Sequence, residues 1–393
     1  KISQKMNYDS GFKAIDNHKE ELFKVAKQIA ANPELAWNEK KAHDWLVELL
    51  KKLGFQVTAH FQNMETAFEA RFGSGEPTVA LCSEYDALPG IGHACGHNLI
   101  AISAIAAGIG LKKQLEESKK SGTILIYGTP AEEGGGGKLN FIQSGAFDKV
   151  DFSMMIHPTK DDQIYMSSLA MVEVKVKYLG KASHAAAAPF AGINALDATV
   201  LAYNNVSAAR QQFRPDQRVH GVITNGGDKP NIIPAESESH YYIRAKNAKE
   251  LEELKEKIFN CFEAAAFATG CSNEISPSGP SYLNVISNDD MAELFSNHFT
   301  RLSGHTLPAK ETQLQMPTGS TDMGNVSYKV PALHPCYAIG GNVENHTIGF
   351  TSQVVTDEAL NATLNASKAM FCTAYEILID NELLEKVKTT FKK

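Results

Sequence analysis

At 393 residues the chain outgrows one comfortable hydrophobic core, so two or three domains are expected. Its 43% hydrophobic and 21% charged content fits an ordinary globular enzyme, and a net charge of -7 offers no basic footprint for nucleic acid or anionic membrane. No apolar run approaches the ~20 residues of a membrane helix, and the opening Lys1-Ile2-Ser3-Gln4-Lys5 lacks a signal core. Six scattered cysteines suit free thiols in a reducing compartment, so the expected location is cytoplasmic.

Apolar spacing predicts helices over residues 12–31, stopped by Asn32-Pro33, and 39–53, closed by Gly54. Short strands are expected at 55–59, 68–72 and 79–82, then a helix at 99–115 and strands at 123–127 and 152–156. Alternating strands and helices imply a mainly parallel sheet covered by helices on both faces, with chemistry at the C-terminal strand ends. The middle reads as strand 171–178, helix 194–213, strands 219–224 and 240–245, helix 249–269 and strand 273–276. That is the split βαβ, ferredoxin-like order. The expected organisation is therefore an inserted domain at 170–283 within a catalytic domain formed by 1–169 and 284–393.

The segment Gly92-His93-Ala94-Cys95-Gly96-His97-Asn98 puts sulfur and imidazole nitrogen close together, a donor set that suits zinc and its first-row neighbours. Glu84-Tyr85-Asp86 precedes it, and Glu132-Glu133, His157 and His346 follow. Asp86, Glu132-Glu133 and His157 each lie just beyond an expected strand. Two adjacent ionised carboxylates repel, so a buried pair needs a cation or a proton. One can bind metal while the other takes a proton from a metal-activated water. The glycines at 134–137 followed by Lys138 do not make a phosphate loop, because Glu132 stands five before Gly137 and Leu139 replaces the required Ser/Thr. The set reads as a metallohydrolase that cleaves amide bonds. A thiol enzyme using Cys95 with His97 would leave the two glutamates, His157 and His346 without work.

The chain resembles the metal-dependent aminoacylase and carboxypeptidase family, in its amidohydrolase branch, which includes auxin-conjugate hydrolases, N-acyl amino acid amidohydrolases and a cytosolic dipeptidase subgroup. The resemblance is carried by Asn32-Pro33-Glu34-Leu35, Glu84-Tyr85-Asp86-Ala87-Leu88-Pro89, His93-Ala94-Cys95-Gly96-His97, Pro130-Ala131-Glu132-Glu133-Gly134, Gly180-Lys181-Ala182-Ser183-His184, Asn231-Ile232-Ile233-Pro234 and Gly319-Ser320-Thr321-Asp322. It implies two divalent ions per subunit, zinc before manganese, cobalt or nickel. Cys95 would bridge them, with His97 and His157 on one and Glu133 and His346 on the other. Glu132 would be the general base and Asp86 would orient His97. The inserted domain would be a lid and homodimerisation domain, with His184 as oxyanion donor. Asn231 and Arg244 would grip a substrate carboxylate, and Gly319 and Thr321 would join them in substrate binding. The implied reaction is hydrolysis of a dipeptide or N-acyl amino acid with a free carboxylate. A non-catalytic scaffold or regulator on the same fold is the alternative, and no ligand or base has been lost to favour it. Asn98 and Gly92 depart from the branch, where many members carry Asp and Met, and would reshape the pocket.

Overall fold

Packing changes hands twice along the chain: one unit runs to Ser167 and resumes at Val285, and the other is Ser168–Asn284. The computed structural model describes residues 6–316 and 319–392. The first unit opens with α1 (Asp9–Asn17), α2 (Lys19–Ala31), α3 (Lys40–Lys52), β1 (Gln56–Ala59), β2 (Phe68–Ser74) and β3 (Thr78–Ser83). It continues with α4 (His97–Ser118), β4 (Gly122–Gly128), α5 (Gly137–Gln143), β5 (Phe152–Met154) and β6 (His157–Thr159). The helix expected over 12–31 is two helices that meet at His18 (φ -101°, ψ 5°). Asn17 and His18 are weak helix formers, and the break lets each helix turn its own apolar stripe to the core.

The second unit contains β7 (Ala170–Leu179), β8 (Ser183–His184), α6 (Ala195–Ala209), β9 (Arg218–Asn225), β10 (Ile232–Ile233), β11 (Glu236–Ala245), α7 (Ala248–Thr269) and β12 (Ser272–Pro277). Its sheet runs β12-β7-β11-β9 with every pairing antiparallel, the ferredoxin-like arrangement. Inward residues of β7 and β11, such as Val174, Val176, Tyr241 and Ile243, form one core with Ala202 and Val206 of α6 and Leu254, Ile258 and Phe262 of α7. Alternate positions along β11 stay half-exposed, the period-two signature of a sheet covered on one face.

The chain then returns to the first unit through α8 (Asp289–Ser303), α9 (Lys310–Gln313), α10 (Met323–Lys329), β13 (Ala332–Leu333), β14 (Cys336–Ala338), α11 (Ile348–Gln353), α12 (Asp357–Ile379) and α13 (Asn381–Phe391). The main sheet is ordered β1-β2-β4-β3-β5-β13. Its β4–β3, β3–β5 and β5–β13 pairings are parallel, while β1 and β2 add an antiparallel edge. Both faces are covered. Val79 and Leu81 of β3 face a core with Ile102, Ile105 and Phe371, whereas Ala80 and Cys82 face Phe141, Phe147, Met323 and Val326. Hence the central strands read as continuous apolar runs, and the polar groups collect in the turns after β3 and β4.

Candidate metal centre and active site

Glu84 and Asp86 leave the end of β3 fully or almost fully buried. After β4 the chain passes through Ala131 at φ 61°, a left-handed conformation that costs a non-glycine residue roughly 1–2 kcal/mol. The Ala131 carbonyl accepts the amides of Gly135 at 2.8 Å and Gly136 at 2.7 Å, closing the turn that carries Glu132 and Glu133. Gly96, at φ 81°, starts α4; a Cβ there would stand 2.5 Å from Pro158 Cγ, so only glycine lets Cys95 and His97 come this close to β6. His157 opens β6, which pairs in parallel with β14. The His346 amide donates to the Ala94 carbonyl at 2.8 Å and fixes the fifth side chain beside the Cys95 segment.

These turns bring the five expected ligands together. Cys95 Sγ lies 3.5 Å from His157 Nε2, and Glu133 Oε1 lies 3.4 Å from His346 Nε2 and 4.0 Å from His97 Nε2. Asp86 Oδ1 meets His97 Nδ1 at 3.0 Å, and its Oδ2 accepts the Glu133 amide at 2.9 Å. The Pro158 carbonyl accepts from His157 Nδ1 at 2.9 Å, so the lone pair of that ring sits on Nε2, facing Cys95. Ligand atoms of Cys95, His97 and His157 lie within 4.8 Å of one another, as do those of Cys95, Glu133 and His346 and those of His97, Glu132 and Glu133. His97 Nε2, Glu133 Oε1 and Glu84 Oε1 are buried atoms without a hydrogen-bond partner. Buried polar atoms are rarely left unmatched, and His97 and Glu133 both belong to the donor groups that could hold a cation. The donor set fits divalent metal.

The electrostatics agree. Burial, then the charges of Glu84, Glu133 and Asp322, push Glu132 well above the usual carboxylate range. Burial and Glu133 likewise raise the Cys95 thiol, so a thiolate there requires an added positive charge. Burial acts against a charged His97, yet Glu84, Cys95 and Asp86 together lift it well above its ordinary value. His157, buried beside His97, falls to about 4 and is a neutral donor at physiological pH.

Sequence reasoning gave Lys138 no task, and the structure gives it one. The glycine turn delivers the fully buried Lys138 so that Nζ contacts Glu84 Oε2 at 2.5 Å and Asp322 Oδ1 at 2.7 Å. Its partners lie 54 and 184 residues away in sequence, which local pattern cannot reveal. Thr321 is buried beside Asp322 and its hydroxyl accepts the Met323 amide at 3.2 Å, while Gly319 is exposed. The Asn98 side chain is buried and donates to the carbonyls of Ala26 at 3.4 Å and Val354 at 3.3 Å. In the second unit, exposed His184 pairs with Ile232 across β8 and β10, and the Asn231 carbonyl accepts the Ala185 amide at 3.0 Å. Arg244 stands on β11 with its guanidinium 5.6 Å from the Tyr242 ring centre.

Comparison with known proteins decides the family. Residues 168–269 match the model of a peptidase dimerisation domain found in M20 peptidases. The human protein described as Xaa-Arg dipeptidase is 44% identical over 96% of this chain and 90% of its own length. The chain belongs to the M20 family of metallopeptidases. A component of the p-aminobenzoyl-glutamate hydrolase of Escherichia coli K12 is 30% identical over 95% of this chain and 92% of its own. Among solved structures, a Bacillus subtilis dinuclear metal-binding peptidase of the M20 family shares the fold, with a TM-score of 0.69 at 21% identity over 92% and 99% of the two chains. A Staphylococcus aureus aminohydrolase does so at 0.76 and 16%, over 95% and 100%. This M20 member is a metal-dependent amide-bond hydrolase of the class that acts on dipeptides or N-acyl amino acids.

Proposed function

We propose that the enzyme hydrolyses dipeptides with a basic C-terminal residue at a centre where Cys95, His97, His157, Glu133 and His346 would hold two divalent ions. One observation carries the centre: Cys95 Sγ belongs both to the group with His97 and His157 and to the group with Glu133 and His346. When bound, divalent ions polarise the scissile carbonyl and ease deprotonation of water. Glu132 accepts the proton of the attacking water and returns it to the departing amine. Asp86 keeps the His97 proton on Nδ1, so that Nε2 faces the centre. Asn231 and Arg244 bind the substrate carboxylate, His184 donates to the developing oxyanion, and Gly319 and Thr321 contribute to substrate binding. Zinc is the preferred ion, because a thiolate with imidazoles suits it, with manganese, cobalt or nickel as substitutes.

The preference for a basic C-terminal residue is drawn from the relative at 44% identity, and an N-acyl amino acid is the second substrate class, drawn from the relative at 30%. We place the enzyme in the cytoplasm on its unpaired cysteines; among the described residues no helix is long and apolar enough to cross a membrane. It is assigned as a homodimer through the second unit, whose sheet ends at β9 with Val222 and Ile223 exposed. The test is a panel of Xaa-Arg, Xaa-Lys and Xaa-Glu dipeptides beside N-acyl amino acids, run on protein reconstituted with each ion. Highest kcat/KM on the basic dipeptides supports the assignment, and highest kcat/KM on acidic dipeptides overturns it.

A further inference from the structure

Glu39 is a fully buried carboxylate outside the ligand set and the proton path. It gathers donors from three separate chain segments. Oε1 accepts the amides of Trp37 at 3.0 Å and Ala131 at 2.9 Å, and Oε2 accepts the Thr66 hydroxyl at 2.9 Å. Trp37 and Ala131 are both non-glycine residues in the left-handed region, at φ 66° and 61°. Such backbone persists only where its surroundings over-determine it. Ala131 immediately precedes Glu132 and Glu133, so its dihedrals set where both carboxylates point. The Thr66 carbonyl accepts the Tyr85 hydroxyl, and Tyr85 stands between Glu84 and Asp86. One carboxylate thus ties the turn after β4 to the turn after β3. The indole of Trp37 closes over the same loop, because a Cβ at Gly135 would lie 2.2 Å from Trp37 Nε1 and 2.7 Å from Ala131 Cβ.

We propose that Glu39 is a positioning residue for hydrolysis, holding through its hydrogen bonds the left-handed Ala131 turn that aims Glu132 and Glu133. The inference rests on the reading of Glu132 as proton acceptor and Glu133 as ligand. What the turn uses is acceptor geometry rather than charge: burial, and then the Asp86 charge, raise Glu39 to about 7, so it is partly neutral under working conditions.

Three variants separate this role from plain stabilisation, each assayed well below its melting temperature with metal content measured alongside. Glu39→Gln keeps an oxygen for both amides and offers its own NH2 to the Thr66 hydroxyl, so kcat stays within about threefold of wild type. Glu39→Asp keeps the charge but withdraws it by one methylene, so kcat falls roughly 10²-fold with KM little changed. Adding Ala131→Gly to Glu39→Asp restores at least about tenfold, because glycine adopts positive φ freely. A Glu39→Asp enzyme with kcat within threefold of wild type overturns the proposal, as does a Glu39→Gln enzyme equally impaired, or a loss that Ala131→Gly does not relieve. Glu132→Gln run in parallel keeps the two readings apart: if that variant stays active, the base assignment fails whatever the Glu39 series shows.

Discussion

Two histidines, His97 at the start of α4 in the first unit and His184 in β8 of the second, live under opposite constraints. His97 is fully buried, with Asp86 at 3.0 Å on one nitrogen and Glu84 at 3.5 Å on the other. His184 is exposed, and its Nδ1 accepts the amides of Ala186 at 3.3 Å and Ala187 at 3.2 Å. Around His97 the buried charges exist only as a mutually compensated set, because an isolated charge there would carry a large desolvation cost. Around His184 water compensates, so that side chain is free to change without disturbing its unit. The first region should therefore respond to substitution as a network, and the second residue by residue.

The largest expected break in that contrast is Lys138→Met. It strands Glu84 and Asp322 without their cation and should cost about 3–5 kcal/mol in chemical denaturation. Lys138→Met combined with Asp322→Asn should recover much of the loss; single and double variants of equal stability would show that the three residues are not coupled. On the other side, His184→Ala should slow turnover by ~10²–10³ while leaving melting temperature and metal content unchanged. A shift in melting temperature with no effect on rate would reverse the contrast.

A smaller effect sharpens it through pH. Glu39 has its folded-state value raised from 4.5 to about 7, mainly by burial. A raised carboxylate contributes stability at low pH that is lost as pH climbs from 4.5 through 7, since the unfolded chain ionises first. The neutral Glu39→Gln variant lacks that loss. Its stability relative to wild type should rise by up to about 3 kcal/mol between pH 5 and 8, measured by urea unfolding. A flat difference over that range would mean that Glu39 is ionised at no net cost.

Much of the architecture was legible in sequence because apolar period and turn chemistry agreed. The run before Gly54, the apolar β3 and β4 segments and the βαββαβ order of the second unit all form where the pattern placed them. The break at His18 was not legible, since apolar spacing continues across it. Nor was the parallel pairing of β6 with β14, because three-residue strands carry no measurable period. Cys95, His97 and Glu133 could be proposed as ligands because each sits in a recognisable local motif, whereas His157 and His346 stand in none and could be proposed only from the whole set of donors and the family resemblance. Glu39 and Lys138 could not be assigned, because their partners lie 92 and 184 residues away and both residue types are ordinary on a surface.

Metal counting across paired variants tests the central claim most directly. Elemental analysis should find two divalent ions per chain in the wild type and at least one fewer in Cys95→Ala, which removes the group shared by both ligand sets. Glu132→Gln should keep both ions yet hydrolyse an Xaa-Arg dipeptide ~10²–10⁴-fold more slowly, because an amide cannot accept the proton. Two ions retained in Cys95→Ala, or Glu132→Gln activity within about tenfold of wild type, would contradict the account.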